Sequence, residues 1–383
     1  MDATPDELES VAEFAARAAT GSIAGTVVQG LDLTRFDLTG LDVAGTLFLG
    51  CHLASAAVEA ELVSRGAQIV RAITEVPYPT HPASLYTAPD LAEGFDGRFE
   101  AMYDTRVYRH FVAHGGALPD LREALAQRLH DHGIDDALGD LLDVWTATTG
   151  GRPVVGVMGG HAELRGAPAY VQAAELGRQL ARAGCLVLTG GGPGVMEAAN
   201  LGAYLANQPD EALPAAVAEL AAAPDFHNHD PYTAAALAVR NRWPLPAHGT
   251  DPVSWARGGG LSIPTWLYGH EPANLLAGRI AKYFSNAIRE DTILRACRGG
   301  VVFAPGKAGT VQEVFQAATK AYYGSDGASG PIIFLDRAYW TDVLPVESLL
   351  RPLFGLAAHP GLDKLVHLTD SVDDAVGLLS GRP

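Results

Sequence analysis

From Arg152 onward, short apolar runs alternate with amphipathic helical patterns, and this alternation constrains the fold more than any other feature. The runs that predict buried strands are "PVVGVMGG", "CLVLTGGG", "GVVFAP" and "PIIFLD", with another strand around "LSIPTWLY". The helical patterns are "AYVQAAELGRQLARAG", "PGVMEAANLGAYLA", a helix from about Pro272 and one after Gly309. Such alternation favours an α/β fold with a mostly parallel, doubly wound sheet, in which ligands bind beyond the carboxyl ends of the strands.

Two of these strands lead through a glycine turn directly into a helix, in "LTGGGPGVMEAA" (Leu188–Ala199) and "FAPGKAGTVQEVF" (Phe303–Phe315). A helix start offers unpaired N–H groups and partial positive charge to an anion. Neither turn is G-x-G-x-x-G or a Walker loop. The chain has only four lysines, and three of them fall in or beside the second turn, namely Lys282, Lys307 and Lys320. We therefore expect a small anionic ligand.

The composition excludes several classes of function. A formal net charge of −17 argues against a general nucleic-acid or membrane-surface binder. Cys51, Cys185 and Cys297 have neither zinc nor thioredoxin spacing, which fits a reducing cytoplasm. The acidic N-terminus lacks the apolar segment of a signal peptide, and we expect no stretch long enough to span a bilayer. These features together predict a cytoplasmic protein.

Residues 31–55 divide into units of five, "LDLTR FDLTG LDVAG TLFLG CHLAS". The centres of these units are apolar, and an aspartate precedes the first three; the centres are Leu33, Leu38, Val43, Phe48 and Leu53. The pattern resembles pentapeptide repeats, which form a square-sectioned β-solenoid. The alternative is a few amphipathic β segments that pack on the main domain.

These patterns predict three regions. Residues 1–76 are an N-terminal region with the repeat-like β segment, and residues 77–150 are a linker and helical adaptor. The sequence pattern predicts two helices in the adaptor, "PDLREALAQRLHDHG" and "IDDALGDLLDVWTATTG". Residues 151–383 are the α/β domain, which an insertion at about residues 207–252 interrupts. The insertion either covers the site or only elaborates the surface.

The two glycine turns resemble the signatures of the LOG family, long misnamed lysine decarboxylases. Its "GGGxxGxM" turn corresponds to Gly190–Met196, and its "PGGxGTxxE" turn to Pro305–Glu313. The chain looks most like the larger bacterial members, the nucleotide 5′-monophosphate nucleosidases, from roughly Arg152 to the C-terminus. The resemblance implies a Rossmann-like nucleotide-binding domain that hydrolyses the N-glycosidic bond of a nucleoside 5′-monophosphate, giving free base and ribose 5-phosphate.

The resemblance also implies roles for individual residues. Glu313 matches the family's essential acid, and Arg289 in "NAIRED" matches its arginine, with Arg295 as a possible substitute. The remaining candidates would surround the phosphate and ribose or line the same crevice; they are Gly159, Gly160, Gly191, Gly192, Gly194, Gly306, Gly309 and Thr310. Lys307 stands where the motif has glycine, and either reaches the phosphate or points away. The family implies no metal or redox cofactor, and a homodimer or larger homo-oligomer.

Several of these residues have a purely structural alternative. Thr310 and Glu313 form a T-x-x-E capping box, in which the glutamate stabilises its own helix start. Arg289 has helical spacing with Arg279, Lys282 and Asn286, so it points either to solvent or into the crevice. In "FHNHDPY", His227, His229 and Asp230 lie close together, but no partner cluster has metal spacing, and we expect no metal site. His161 follows the first strand and either borders the crevice or is an ordinary polar loop residue.

Two functions from different classes fit this pattern. The first is a phosphoribohydrolase, in which a carboxylate stabilises the oxocarbenium-like ribose or orients the attacking water. The second is a non-catalytic, Rossmann-like sensor that binds nucleotide without turning it over. Amino-acid decarboxylation is rejected, because nothing around Lys307 besides the lysine itself supports a bound pyridoxal phosphate.

Overall fold

The computed structural model describes residues 7–245, 253–325, 329–358 and 360–381. The chain forms two compact units. The first comprises Met1–Leu85 and Val112–Leu138, and the second comprises Tyr86–Phe111 and Gly139–Pro383.

The first unit contains a four-stranded parallel sheet in the order β1-β2-β3-β4. Its elements are β1 (Glu7–Leu8), α1 (Val11–Ala18), β2 (Val27–Gln29), β3 (Leu47–Leu49), α2 (Ala56–Ser64) and β4 (Gln68–Val70). Val27 pairs with Leu47, and isolated bridges join Ser22 to Asp42 and Asp32 to His52. Each pairing is a step of 20 residues, or four units of five, so the chain forms a parallel β coil. The solenoid interpretation of the five-residue period is confirmed.

Both conspicuous positions of the repeat have a physical explanation. The apolar centres face the inside of the coil, where Leu33 is 1% and Phe48 0% exposed. The aspartates lie at the corners, where Asp32 and Asp37 each accept a hydrogen bond from the backbone N–H two residues later, at 3.0 and 2.9 Å. Such Asx turns satisfy a backbone donor at each change of direction.

Replacing Phe48 with alanine is expected to destabilise the first unit by about 3–5 kcal/mol, because the coil closes around this ring and cannot refill its volume. Hydrogen exchange of the β2 and β3 amides, followed against denaturant concentration, measures this loss. Val63→Ala is the control, since Val63 is 53% exposed on α2. Equal protection of these amides in the two variants would contradict the buried position of Phe48.

The rest of the chain forms a seven-stranded, entirely parallel sheet with flanking helices, in the order β11-β10-β9-β5-β6-β7-β8. Its strands are β5 (Val154–Met158), β6 (Leu186–Thr189), β7 (Leu261–Ser262), β8 (Arg279–Ile280), β9 (Gly300–Phe303), β10 (Ile332–Leu335) and β11 (Val366–Thr369). The remaining helices of the chain are α3 (Ala88–Ala92), α4 (Tyr103–Ala113), α5 (Leu121–Thr149), α6 (Pro168–Arg182), α7 (Val195–Tyr204), α8 (Ala212–Leu220), α9 (His229–Arg242), α10 (Asn286–Ala296), α11 (Ala308–Tyr323), α12 (Glu347–Gly355) and α13 (Val372–Ser380). The end of α4 and Leu121–Leu138 of α5 belong to the first unit. The predicted α/β, Rossmann-like doubly wound sheet is confirmed.

The strand order reverses at β5, which pairs with β6 on one side and β9 on the other. Along the chain, β6, β7 and β8 extend the sheet in one direction before β9, β10 and β11 extend it in the other. This arrangement creates a topological switch point at the carboxyl end of β5. The glycine turns after β6 and β9 therefore lie on either side of the turn that follows β5.

Two predictions about individual elements are wrong. The two predicted adaptor helices are one helix, α5 (Leu121–Thr149), because Gly133 keeps a helical conformation and makes room for Pro82; a Cβ there would lie 2.8 Å from the Pro82 carbonyl oxygen. No helix starts near Pro272, since β8 pairs with β7 and the Ser285 hydroxyl caps α10 by accepting a hydrogen bond from the Ile288 N–H. The predicted strand in "LSIPTWLY" is confirmed as β7, although it has only two residues.

The predicted insertion is partly helical in the part that the structure describes. It contains α8 and α9, while its residues 246–252 lie outside the described residues. All three cysteines are free thiols. Within the described ranges, no helix combines the length and the apolar character needed to cross a bilayer.

Candidate functional site

The carboxyl ends of β5, β6 and β9 open onto a cavity of about 740 Å³, which lies within the second unit. This volume is in the range of small-molecule binding sites. All the predicted site residues except Gly194 line it; they are Gly159, Gly160, Gly191, Gly192, Arg289, Gly306, Lys307, Gly309, Thr310 and Glu313. The cavity is therefore at the switch point, where a doubly wound sheet binds its ligands.

The first glycine turn is packed tightly against its neighbours. Gly194 begins α7 with φ +70, and a Cβ on it would lie 2.5 Å from the Gly160 carbonyl oxygen. The Gly191 N–H donates to the Thr189 hydroxyl at 3.1 Å. Gly194 thus serves the close approach of α7 to the turn after β5, while Gly191 and Gly192 form the cavity wall.

The second glycine turn is more open and carries the positive charge. Lys307 is exposed and has φ −102, a conformation that any residue adopts, so lysine replaces the motif glycine without backbone strain. The Tyr339 hydroxyl donates to the Gly306 carbonyl at 2.5 Å and holds the turn. No side chain among the described residues caps the start of α11. Its first N–H groups and Lys307 together form a site suited to an anion.

Glu313 does not cap its helix, so the capping-box alternative is wrong. The helix begins at Ala308, which puts Thr310 inside the first turn and Glu313 in the second. Among the described residues, none forms a hydrogen bond with the Glu313 carboxylate or an ion pair within 4 Å. Burial raises the pKa of Glu313 to about 7; the positive charge of Arg289 opposes this shift and the negative charge of Glu290 adds to it.

Arg289 is buried, and two of its nitrogens are held by backbone carbonyls. Nε donates to the Ile263 oxygen and Nη2 to the Gly190 oxygen, each at 2.8 Å. These bonds join α10 to the loop after β7 and to the first glycine turn, and they leave Nη1 without an acceptor among the described residues. Burial lowers the pKa of the guanidinium, and the Glu313 carboxylate acts in the opposite direction.

The positions of the other cations decide between the two arginines. Arg279 is in β8 and Lys282 follows that strand, so the predicted helical stripe is wrong and only Asn286 and Arg289 share a helix. Of the two alternatives for Arg289, solvent or crevice, the structure shows the crevice, because Arg289 lines the cavity. Arg295 is exposed on α10 and lines a separate cavity of about 40 Å³. It is not a substitute for Arg289 in the larger cavity.

A buried ion pair beneath the cavity has no signal in the sequence pattern. Lys282 lines the cavity, and its Nζ lies 2.6 Å from Asp104 Oδ1 on α4. The Trp266 indole N–H donates to the same oxygen at 2.9 Å. Lys282 is one of only four lysines in the sequence, but Asp104 is 178 residues away and only the fold brings the two together.

The insertion contributes to the cavity wall. Phe226 and His227, between α8 and α9, line it and stack on each other with ring centroids 4.2 Å apart. His161 lines it too, so this residue borders the crevice. Other lining residues that the motifs did not indicate are Glu163, Tyr268, His270, Glu271 and Tyr339. The described residues include no group of three His, Cys, Asp or Glu side chains placed to hold a metal.

Glu197, in the first turn of α7, connects the insertion to α6 and α7. Its carboxylate accepts hydrogen bonds from Arg165 and from the hydroxyls of Tyr170 and Tyr232, the last two at 3.0 and 2.8 Å. Tyr232 is on α9, and the Arg165 guanidinium lies 3.2 Å from the centroid of its ring. All four side chains are buried. Glu197 is therefore a structural anchor on which the position of the insertion depends.

Replacing Glu197 with glutamine is expected to lower the free energy of unfolding by about 3–5 kcal/mol, because Arg165 keeps its buried charge without a counter-ion. Denaturant unfolding measures the loss, and hydrogen exchange should show faster opening of α9. Glu175→Gln, on the half-buried face of α6, is the control and should change stability by less than about 1 kcal/mol. Wild-type protection of α9 in Glu197→Gln would contradict the anchoring role.

Comparison with known families gives one match. Residues 152–208 match the model of the SLOG cluster4 family, a segment from β5 to just beyond α7 that includes the first glycine turn. The match does not extend to Arg289, the second glycine turn or Glu313. No curated protein sequence is significantly similar to the chain.

Proposed function

We propose that the cavity hydrolyses the N-glycosidic bond of a nucleoside 5′-monophosphate, releasing free base and ribose 5-phosphate. The SLOG cluster4 match supports a nucleotide-related function in the broad sense, since the SLOG superfamily includes LOG-like proteins. The resemblance of both glycine turns to the LOG signatures supports the narrower activity.

The observation that carries the proposal is the position of Glu313. Its carboxylate faces the cavity, plays no part in capping α11, and has a pKa raised to about 7 by burial. A half-buried glutamate without a hydrogen-bond partner lowers the stability of the fold, so a structural role does not explain it. A carboxylate with a pKa near neutrality, placed in a cleft, is typical of acid–base chemistry.

In this proposal, the charge distribution of the cavity determines which end of the substrate binds at each glycine turn. The 5′-phosphate fits the start of α11, where Lys307 and the helix N–H groups are positive, and Arg289 lines the same cavity as a further donor. Phosphate binding is remote from the bond that breaks, so its binding energy serves to position the ribose. The ribose then lies between the two glycine turns, within reach of Glu313.

In the proposed reaction, water adds its oxygen to C1′ of the ribose while the bond from C1′ to the base nitrogen breaks. Glu313 in its ionised form stabilises the positive charge that develops on the ribose and accepts a proton from the water. The departing base takes up one proton from solvent, so the products are neutral base and ribose 5-phosphate. Glu313 returns its proton to solvent before the next turnover.

Glu313→Gln is expected to lower kcat for base release by at least roughly 100-fold while nucleotide binding remains, since glutamine keeps the shape and loses the charge and the base. The assay is a panel of purine and pyrimidine 5′-monophosphates with the matching nucleosides, followed for free base and ribose 5-phosphate. Glu175→Gln on α6 is the matched control. Unchanged turnover in Glu313→Gln would rule out the catalytic role.

The same panel separates the enzyme from the sensor. Base released from monophosphates, and not from nucleosides, supports the hydrolase and ranks the bases. If a monophosphate raises the melting temperature of the wild-type protein but no base appears, the cavity is a nucleotide-binding site without turnover.

The proposed mechanism predicts a pH dependence. Because Glu313 acts as a carboxylate and its pKa is about 7, kcat/KM should fall as the pH drops below about 7. Glu290 raises the pKa of Glu313, so Glu290→Gln should move this limb to lower pH without abolishing activity. Profiles of kcat/KM between pH 5 and 9 measure the shift, and a limb that moves to higher pH would contradict the assignment.

A further inference from the structure

Glu271 distinguishes the first glycine turn from the second. It follows the turn Trp266–Tyr268, and its backbone N–H donates to the Tyr268 carbonyl at 2.9 Å, which fixes the loop. Its side chain is 16% exposed and lines the cavity. One carboxylate oxygen lies 3.4 Å from where a Cβ on Gly192 would stand. The carboxylate therefore lies directly over the first glycine turn.

The acceptor capacity of this carboxylate is unused by the described part of the chain. No described residue donates a hydrogen bond to it, and the imidazole nitrogen His161 Nδ1 is 3.9 Å away, too far for a hydrogen bond. A carboxylate accepts hydrogen bonds and donates none. The first turn is consequently unsuited to phosphate and suited to a neutral ligand group with several donors, whereas Lys307 gives the second turn the opposite preference.

The surroundings of Glu271 indicate which part of a nucleotide meets it. Arg289 donates to the Gly190 carbonyl of the first turn, two residues before the glycine that Glu271 approaches, and Glu313 and Glu271 line the same cavity. The two carboxylates thus belong to one region around Arg289, next to the proposed reacting carbon. The aromatic side chains Phe226 and Tyr268 also line the cavity and suit a base. The donors nearest the reacting carbon are the 2′- and 3′-hydroxyls of ribose.

We infer that Glu271 accepts a hydrogen bond from the ribose 2′-hydroxyl, and that the cavity selects ribonucleotides over 2′-deoxyribonucleotides. This inference rests on the proposed function for the identity of the ligand and goes beyond it in naming the sugar. Carboxylates recognise the ribose 2′-hydroxyl in the same way at the switch point of other doubly wound sheets. Glu271 is a positioning residue here, since it fixes the sugar relative to Glu313.

The test compares two sugar phosphates that differ only in this hydroxyl, ribose 5-phosphate and 2-deoxyribose 5-phosphate, by calorimetric titration of the full chain. Wild type should bind ribose 5-phosphate roughly 10-fold or more tightly, as expected for a hydrogen bond to a charged group. Glu271→Gln should bring the ratio close to one by weakening ribose 5-phosphate alone. The melting temperature without ligand shows whether the variant is folded, and Glu271→Asp, which keeps the carboxylate, should retain part of the preference.

The outcomes separate this inference from the proposed function. Equal binding of both sugar phosphates by wild type, or an unchanged ratio in Glu271→Gln, would overturn the role of Glu271 and leave the hydrolase intact. Binding of neither sugar phosphate would count against the hydrolase and remove this inference with it. A third comparison uses AMP and IMP in the Glu313→Gln background, where turnover is suppressed. If Glu271→Gln changes only the ratio of AMP to IMP affinity, Glu271 contacts the amino group of the base, and the inference is wrong.

Discussion

The pairing of β5 with β6 on one edge and β9 on the other is the constraint on which the site depends. Parallel strands present their carboxyl ends on the same side of a sheet, so this pairing alone brings the two glycine turns to one cavity. Arg289 then locks the arrangement, because its bonds to the carbonyls of Gly190 and Ile263 connect α10 to the loops after β6 and β7. A side chain without the rigid, forked N–H donors of a guanidinium would hold only one of the two loops.

The cavity is polarised although the protein as a whole is strongly acidic. Lys307 and the start of α11 are on one side, and Glu271 is over the turn on the other. Glu313 faces the same cavity, with Arg289 as the positive group that acts most strongly on it. An elongated ligand with a charged end and a neutral, hydroxyl-rich middle matches this distribution. A symmetric anion would meet attraction at one turn and repulsion at the other.

The sequence predicted what depends on local patterns. Apolar runs such as Val154–Met158 and Gly300–Phe303 identified the main strands, and the five-residue period identified the coil. Predictions failed where local signals were weak: Gly133 suggested a break in α5, and two-residue strands such as β8 leave almost no periodicity to detect. Spacing alone favoured a capping role for Glu313, because the sequence did not show that α11 begins at Ala308. Asp104 and Glu271 were beyond reach for a different reason: their positions follow from tertiary packing.

The β coil of the first unit has a consequence for how its length can vary. Equivalent positions recur every 20 residues from β1 to β3, and after 21 residues from β3 to β4, where α2 intervenes. Inserting or deleting one whole circuit therefore moves each side chain to an equivalent place on the next layer. A single extra unit of five would instead turn every later residue by one face and place the layers out of alignment. We therefore expect natural length variants of this coil to differ by complete circuits, so that its height changes in steps of one circuit.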